Sequence, residues 1–223
     1  EMVSSNGSSV LGSSAGIEMV HQYRDSGGNT AIISAGNNKL FKGSSTLADN
    51  TPGSYTVSAN NWKAVNFNDH AFFFQRAHEP LVYTNSVGNL EKMSAHAGAA
   101  GTPPQGNEVL AAFGKLFVAD FAADKSTIYW SDTLDGTTWT GGATGSIDIT
   151  NVWPTGYDEI VALAAHNGFL IIFGKDSIVI YSGASAPASM TLEDTISNIG
   201  CVSRDCVVST GKDLIFLDRS GVR

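Results

Sequence analysis

A pattern of two short apolar runs joined by a tight turn recurs five times along this chain. The turns fall near Gly28, Asn68, Gly114, Gly168 and Gly211, at spacings of 40, 46, 54 and 43 residues. The flanking runs are 19–24 with 31–34, 63–67 with 71–75, 109–113 with 116–120, 160–165 with 169–173, and 206–209 with 214–218. An isolated hairpin is marginal in water, so each copy has to bury its apolar surface on a neighbour. A period in the forties is the interval at which each copy builds one small antiparallel sheet, as in the blades of a β-propeller. The central runs 71–74, 116–119 and 169–173 are continuously apolar, which implies burial on both faces. No segment sustains a 3.6-residue period. The expected fold is therefore all-β, made of propeller-like antiparallel sheets, with an incomplete propeller as one form it can take.

The chain divides into a Ser/Gly-rich lead-in, residues 1–16, and a propeller-like domain, residues 17–223, of about five blade units. The first unit reads as a three-stranded meander with turns at 25–29 and 36–38. Its Gly27-Gly28 pair supplies the positive-φ positions that tight hairpins need. Residues 95–106 are small and Pro-containing, and are expected to form a flexible loop that orders as a contact arm on assembly. The last unit stops before its partner strand is complete, so the chain is expected to be a piece of a longer protein. No cationic segment followed by an apolar one opens it, and no signal peptide is expected within it.

Composition limits the partners. The formal net charge is −8, and the 13 Lys and Arg residues are scattered without a run. Attraction to nucleic-acid phosphates depends on clustered cations, so specific nucleic-acid binding is not expected. No apolar stretch approaches the roughly 20 residues that span a bilayer, so no membrane partner is expected either. The two cysteines, Cys201 and Cys206, are too few for a disulfide framework or a four-ligand zinc site. They read as small apolar residues flanking a bend.

Several local patterns invite chemical readings, and each has a plainer structural one. Gly12-Ser13-Ser14-Ala15-Gly16 matches the G-x-S-x-G of a nucleophile elbow, but it lacks the strand before and helix after that the elbow requires. Residues 131–139, Ser-Asp-Thr-Leu-Asp-Gly-Thr-Thr-Trp, resemble the S-x-D-x-G-x-x-W box of sialidase-like propellers. Aligned on Gly136 and Trp139, the acid position holds Leu134, and Asp135 comes one residue late. A structural turn with Trp139 as packed anchor is the expectation. Asp132, Asp135 and Gly136 lack the full alternating-oxygen pattern of a calcium loop. Asp158-Glu159 and Glu193-Asp194 are sequence neighbours, which on a strand point to opposite faces. The arginines are Arg24, Arg76, Arg204, Arg219 and Arg223, with no motif that gathers them. His21, His70, His78, His96 and His166 are dispersed, none at metal-ligand spacing from another. No catalytic residue, cofactor site or metal site is expected.

The C-terminal half carries a more specific signal. Ile128-Tyr129-Trp130-Ser131-Asp132 followed by Trp139 is one part, and residues 168–178 (GFLIIFGKDSI) are another. The third runs from Ile199-Gly200-Cys201-Val202-Ser203 through residues 211–217 (GKDLIFL) to Ser220-Gly221-Val222. Together these resemble the propeller region of the tail nozzle, or tail tubular protein B-like, proteins of short-tailed bacteriophages and the related tail hub or stabilisation proteins. The resemblance covers residues 109–223; the earlier part shares only the repeat.

That resemblance implies a non-enzymatic virion structural protein, a homo-oligomer forming a six-fold ring beneath the portal and adaptor. Its lumen would be part of the DNA exit conduit, and tail fibres would be further partners. An acidic lining suits fast passage of DNA. Two alternatives compete: a carbohydrate-binding lectin or adhesin in which Trp62, Trp130, Trp139 or Trp153 stack on sugars, and a sialidase-like hydrolase with arginines and acids converging on one pocket.

Overall fold

The computed structural model describes residues 16–57 and 61–223. Apart from Gly16, the lead-in and the G-x-S-x-G match lie outside the described residues. The rest is an all-β chain of five consecutive antiparallel sheets that fits an incomplete, propeller-like fold. The first sheet contains β1 (Ile17–Arg24), β2 (Thr30–Gly36), β3 (Lys39–Lys42) and β4 (Ala48–Asp49). The second contains β5 (Trp62–Phe67), β6 (His70–Gln75), β7 (Leu81–Tyr83) and β8 (Leu90–Lys92). In the third are β9 (Glu108–Ala112), β10 (Lys115–Ala119), β11 (Thr127–Trp130) and β12 (Gly145–Asp148). The fourth has β13 (Ala162–His166), β14 (Phe169–Phe173), β15 (Ser177–Ser182) and β16 (Thr191–Ser197). Three strands, β17 (Val207–Ser209), β18 (Leu214–Asp218) and β19 (Gly221–Val222), make the fifth. Within each sheet the strands pair in chain order, so every sheet is an up-and-down meander.

Turn chemistry sets this order locally. Four of the hairpins turn on two residues of positive φ: Asn37-Asn38, Asn68-Asp69, Phe113-Gly114 and Asn167-Gly168. Such turns match the right-handed twist of the strands they join. Asn, Asp and Gly tolerate that conformation; Phe113, at φ 53°, is the exception. Its ring meets Phe117 edge-on, at 6.3 Å between centroids, in the interface between the third and fourth sheets.

Side-chain alternation then builds the cores. On β6, Ala71 and Phe73 face the first sheet and meet Tyr23, Ile33 and Leu40, whereas Phe72 and Phe74 face the third and meet Val109, Leu116 and Val118. Phe117 and Ala119, the other face of β10, pack with Leu170 and Ile172 of β14. The remaining face of β14, Ile171 and Phe173, packs with Val207, Leu214 and Phe216 of the fifth sheet. Four apolar layers thus join five sheets. Burying each large side chain contributes about 1.5–3 kcal/mol. The pattern continues beyond the last layer: Val208, Ile215, Leu217 and Val222 share the far face of the fifth sheet, and all are exposed.

The first strands of successive sheets, β1, β5, β9, β13 and β17, approach one another in that order. Of these, β5, β9, β13 and β17 line a common axial cavity of about 510 Å³. The loop 95–106 departs from expectation, because it is anchored and not free. Ala100 pairs with Thr138, the Trp139 amide donates to the Ala100 carbonyl (2.7 Å), and the Ala77 amide donates to that of Gln105 (3.2 Å). A Cβ on Gly101 would come within 2.9 Å of the Thr140 nitrogen. The small residues that suggest mobility are what let this segment lie flat on the third sheet.

Candidate functional site

At one end of the axis, the starts of four inner strands gather charged side chains around a cavity of about 400 Å³. Glu108, the first residue of β9, is completely buried. It accepts from Lys63 Nζ at 2.7 and 2.9 Å and from the Leu163 amide at 3.0 Å, joining the second, third and fourth sheets. Burial pushes its carboxyl up to about 7 despite the opposing pull of Lys63. Arg204 ties in the fifth sheet. Its guanidinium donates to the Asn107 carbonyl (2.8 Å), the Asn107 side chain (2.9 Å) and the Trp62 carbonyl (2.8 Å).

Asp120 anchors the rim. It accepts from Lys125 (2.7 Å), Asn107 (3.0 Å) and Arg76. Burial would raise its carboxyl, but these three donors hold it below the usual carboxylate range. Lys175 pairs with Glu159 at 2.6 Å on the same rim. Of the five arginines, the fold brings Arg76 and Arg204 to this end. Arg219 and Arg223 pair with Asp176 and Asp218. Sequence reasoning missed Lys63 and Glu108; the available signal was a charge within the first two residues of the otherwise largely apolar β5 and β9.

A second feature is a groove of about 750 Å³ beside the third sheet, bounded by the anchored loop and lined by Phe121, Tyr129, Trp130 and Trp139. Tyr129 is 40% exposed and meets Phe121 edge-on at 5.2 Å. Trp130 is 3% exposed, with its Nε1 donating to the Ala143 carbonyl (3.0 Å). A Cβ on Gly145 would stand 2.6 Å from its ring, so glycine lets the indole pack into the layer between the third and fourth sheets. Trp62 and Trp153 are buried in inter-sheet layers. The stacking expected of the four tryptophans is therefore corrected: Trp62, Trp130 and Trp153 are core, Trp139 is half-buried at the groove, and Tyr129 is the open aromatic.

The box-like turn works as structure. Asp132 accepts from the Thr133 amide (2.7 Å) and the Ala143 amide (3.0 Å), and these bonds hold its carboxyl low. Asp135 accepts from the Thr137 amide (2.8 Å) and hydroxyl (2.7 Å). Trp139 Nε1 donates to the Gly136 carbonyl (3.1 Å), and its ring packs against the layer between the second and third sheets. Asp158 accepts the amides of Glu159 (2.8 Å), Lys175 (2.9 Å) and Asp176 (2.9 Å), which occupies both its oxygens with backbone. Cys201 is buried, and burial pushes its thiol up; Cys206 is partly buried in the same layer.

Two histidines that look unrelated in sequence are neighbours in space. His70 opens β6, and His96 follows the short turn Met93–Ala95. Their Nε2 atoms stand 3.3 Å apart. Among the described residues no group of three His, Cys, Asp or Glu side chains converges as a metal site. His21 bonds Asn66 (3.1 Å), and burial lowers its imidazole.

No family model matches the chain, and no curated protein does either. Among solved structures, the chain is similar to PorZ, described as an essential bacterial surface component of the type-IX secretion system of Porphyromonas gingivalis. The TM-score is 0.51 at 11% identity, over 94% of this chain and 28% of that one. The extracellular domain of BT4673 from B. thetaiotaomicron aligns with a TM-score of 0.43 at 11% identity, over 93% of this chain and 32% of that one. The chain thus spans about a third or less of the length of these structures. The likeness to PorZ concerns the fold alone.

Proposed function

We propose that this chain is a non-enzymatic structural module that works by assembly, and specifically a component of a phage tail nozzle or hub. In that reading it forms a ring beneath the portal and adaptor, contacts tail fibres and lines part of the DNA exit conduit. The observation that carries the assembly reading is the far face of the fifth sheet. Val208, Ile215, Leu217 and Val222 repeat the alternation that buries the four inter-sheet layers, and so offer a surface suited to another β-sheet. The charges at the axial end support it too, because their bonds tie sheets together. The phage-tail specificity rests on the motifs within 109–223, which fall on strands and turns of the third to fifth sheets. Cryo-electron microscopy of the full-length protein tests both parts. A symmetric ring with this face covered by a neighbouring subunit is the expected outcome; a monomer, or a face covered by a further unit of the same chain, would sink the proposal.

A second reading is favoured by the aromatic groove. Its open Tyr129, edge-on to Phe121 with the half-buried Trp139 on the same groove, suits the apolar face of a sugar ring, with Thr140, Thr144 and Ser146 at hand for hydroxyls. Titration with oligosaccharides, followed by tyrosine and tryptophan fluorescence, checks it. Saturable binding lost at least tenfold in Tyr129→Ala would support a lectin-like role, and no response to any glycan would exclude it.

A further inference from the structure

The His70–His96 pair has a property the other polar clusters lack. His70 Nδ1 lies 2.7 Å from the Asn68 carbonyl oxygen, and His96 Nδ1 lies 2.5 Å from Glu91 Oε1. Both partners only accept, so both Nδ1 atoms carry the ring proton. Each neutral ring is then left with a bare lone pair on Nε2. Those two lone pairs face each other across 3.3 Å. Two neutral rings repel there, so a positive centre belongs between them, either a second proton on one ring or a metal ion.

The geometry indicates which kind of centre. Two nitrogens on one tetrahedral ion, each bonded at about 2.0–2.1 Å, stand about 3.3–3.4 Å apart. The rings cross at 78° with centroids 5.1 Å apart, closer than two imidazoles meeting head-on through their Nε2 atoms at this separation. The nitrogens therefore aim at a point beside the line that joins them. Their outer partners, a backbone carbonyl and a carboxylate, are those that orient metal-bound imidazoles and raise their basicity. A cavity of about 290 Å³, bordered by Ala97, Gly98, Gly136 and Thr137, leaves room for water on the remaining positions. Asp135 also lines it, with its carboxylate engaged by Thr137 and Thr138.

We propose that His70 and His96 form a binding site for a divalent transition-metal ion of the zinc type, held by two imidazoles and completed by water. Imidazole ligands favour zinc, copper and nickel over magnesium or calcium. The site lies on the second sheet, where the box-like turn of the third leans against it through the Asn68 side chain, which donates to the Leu134 carbonyl at 2.5 Å. A metal bound there keeps open positions towards solvent, where a ligand from another molecule can complete the shell.

Calorimetric titration of the whole chain with zinc chloride, with magnesium chloride as control, tests the assignment. One saturable zinc site and no magnesium response are expected. His70→Gln and His96→Gln should each abolish it, and His166→Gln should leave it intact. Glu91→Gln keeps the hydrogen bond but removes its charge, and should weaken zinc about tenfold or more. Imidazole nitrogen-15 shifts give an independent readout, because zinc should move both Nε2 signals and leave the Nδ1 protons in place. If zinc gives no saturable site and the shifts show one proton shared by the rings, the pair is a hydrogen bond and the proposal is wrong. Zinc binding that survives both histidine variants overturns it equally.

Discussion

Two clusters of titratable side chains sit on the second and third sheets and differ in what surrounds them. Around Glu108, acceptors meet donors: two bonds from Lys63, one from the Leu163 amide, and the Arg204 fork on the neighbouring Asn107 and Trp62. Around His70 and His96, the outer nitrogens are satisfied and the inner ones confront each other. A cluster whose charges are paired, with Trp62 Nε1 and Arg76 Nε left unpartnered at its edge, is most simply a tie between sheets. A pair of facing lone pairs calls for a positive centre, which the proposed zinc ion supplies. Bond accounting separates structure from site here where residue type does not.

The largest test of that contrast is Glu108→Ala. It would leave the Lys63 ammonium and the Leu163 amide without their acceptor, and denaturant unfolding should show a loss of about 3 kcal/mol. No measurable loss would mean the axial cluster is not a tie.

Next is the pH response of the same carboxyl. It titrates near 7 when folded against 4.5 when unfolded, so the folded chain holds the extra proton between those values. Its contribution is complete below about pH 4.5 and is lost as pH rises through about 7, a change of about 3 kcal/mol at most. Carboxyls held low, such as Asp132 and Asp148, act oppositely, with stability that is lost as pH falls below the unfolded value of 3.8. The Glu108 share is the difference between wild type and Glu108→Gln, measured by urea unfolding at pH 4.5 and 7.5. A flat difference would break the assignment.

Arg204→Ala removes three bonds that cross from the fifth sheet to the second and third, and should cost about 2 kcal/mol. Hydrogen exchange should show the loss concentrated in β17–β19. The smallest effect is expected at the other cluster: without metal, His70→Gln should change stability by less than about 0.5 kcal/mol, because it removes a repulsive contact along with its bonds. A loss comparable to that of Arg204→Ala would make the pair a structural tie and erase the contrast.

Much of the fold was legible in residue order. Asn68-Asp69, Gly114 and Asn167-Gly168 announce hairpins because the conformation they permit is a property of each residue and its neighbour. Continuous runs such as 169–173 announce strands buried on both faces for a similar reason. The site was less legible. The Asn68–His70 and Glu91–His96 bonds are short-range, but the meeting of the two rings requires β6, β7 and β8 to fold into one sheet. Trp130 and Tyr129 are adjacent in sequence, yet Gly145 and the strand's alternation bury one in the core and leave the other open on the groove.

By itself, then, the sequence determined the all-β class, the five repeats, the turn positions and the two-faced strands, all of which depend on contacts within a few residues. Only the tertiary structure decided that Lys63, Glu108 and Arg204 converge and that His70 faces His96. It also decided that 95–106 is anchored and that the fifth sheet keeps a bare apolar face. Those outcomes depend on how sheets stack, and stacking brings together side chains whose separation along the chain carries no trace of their separation in space.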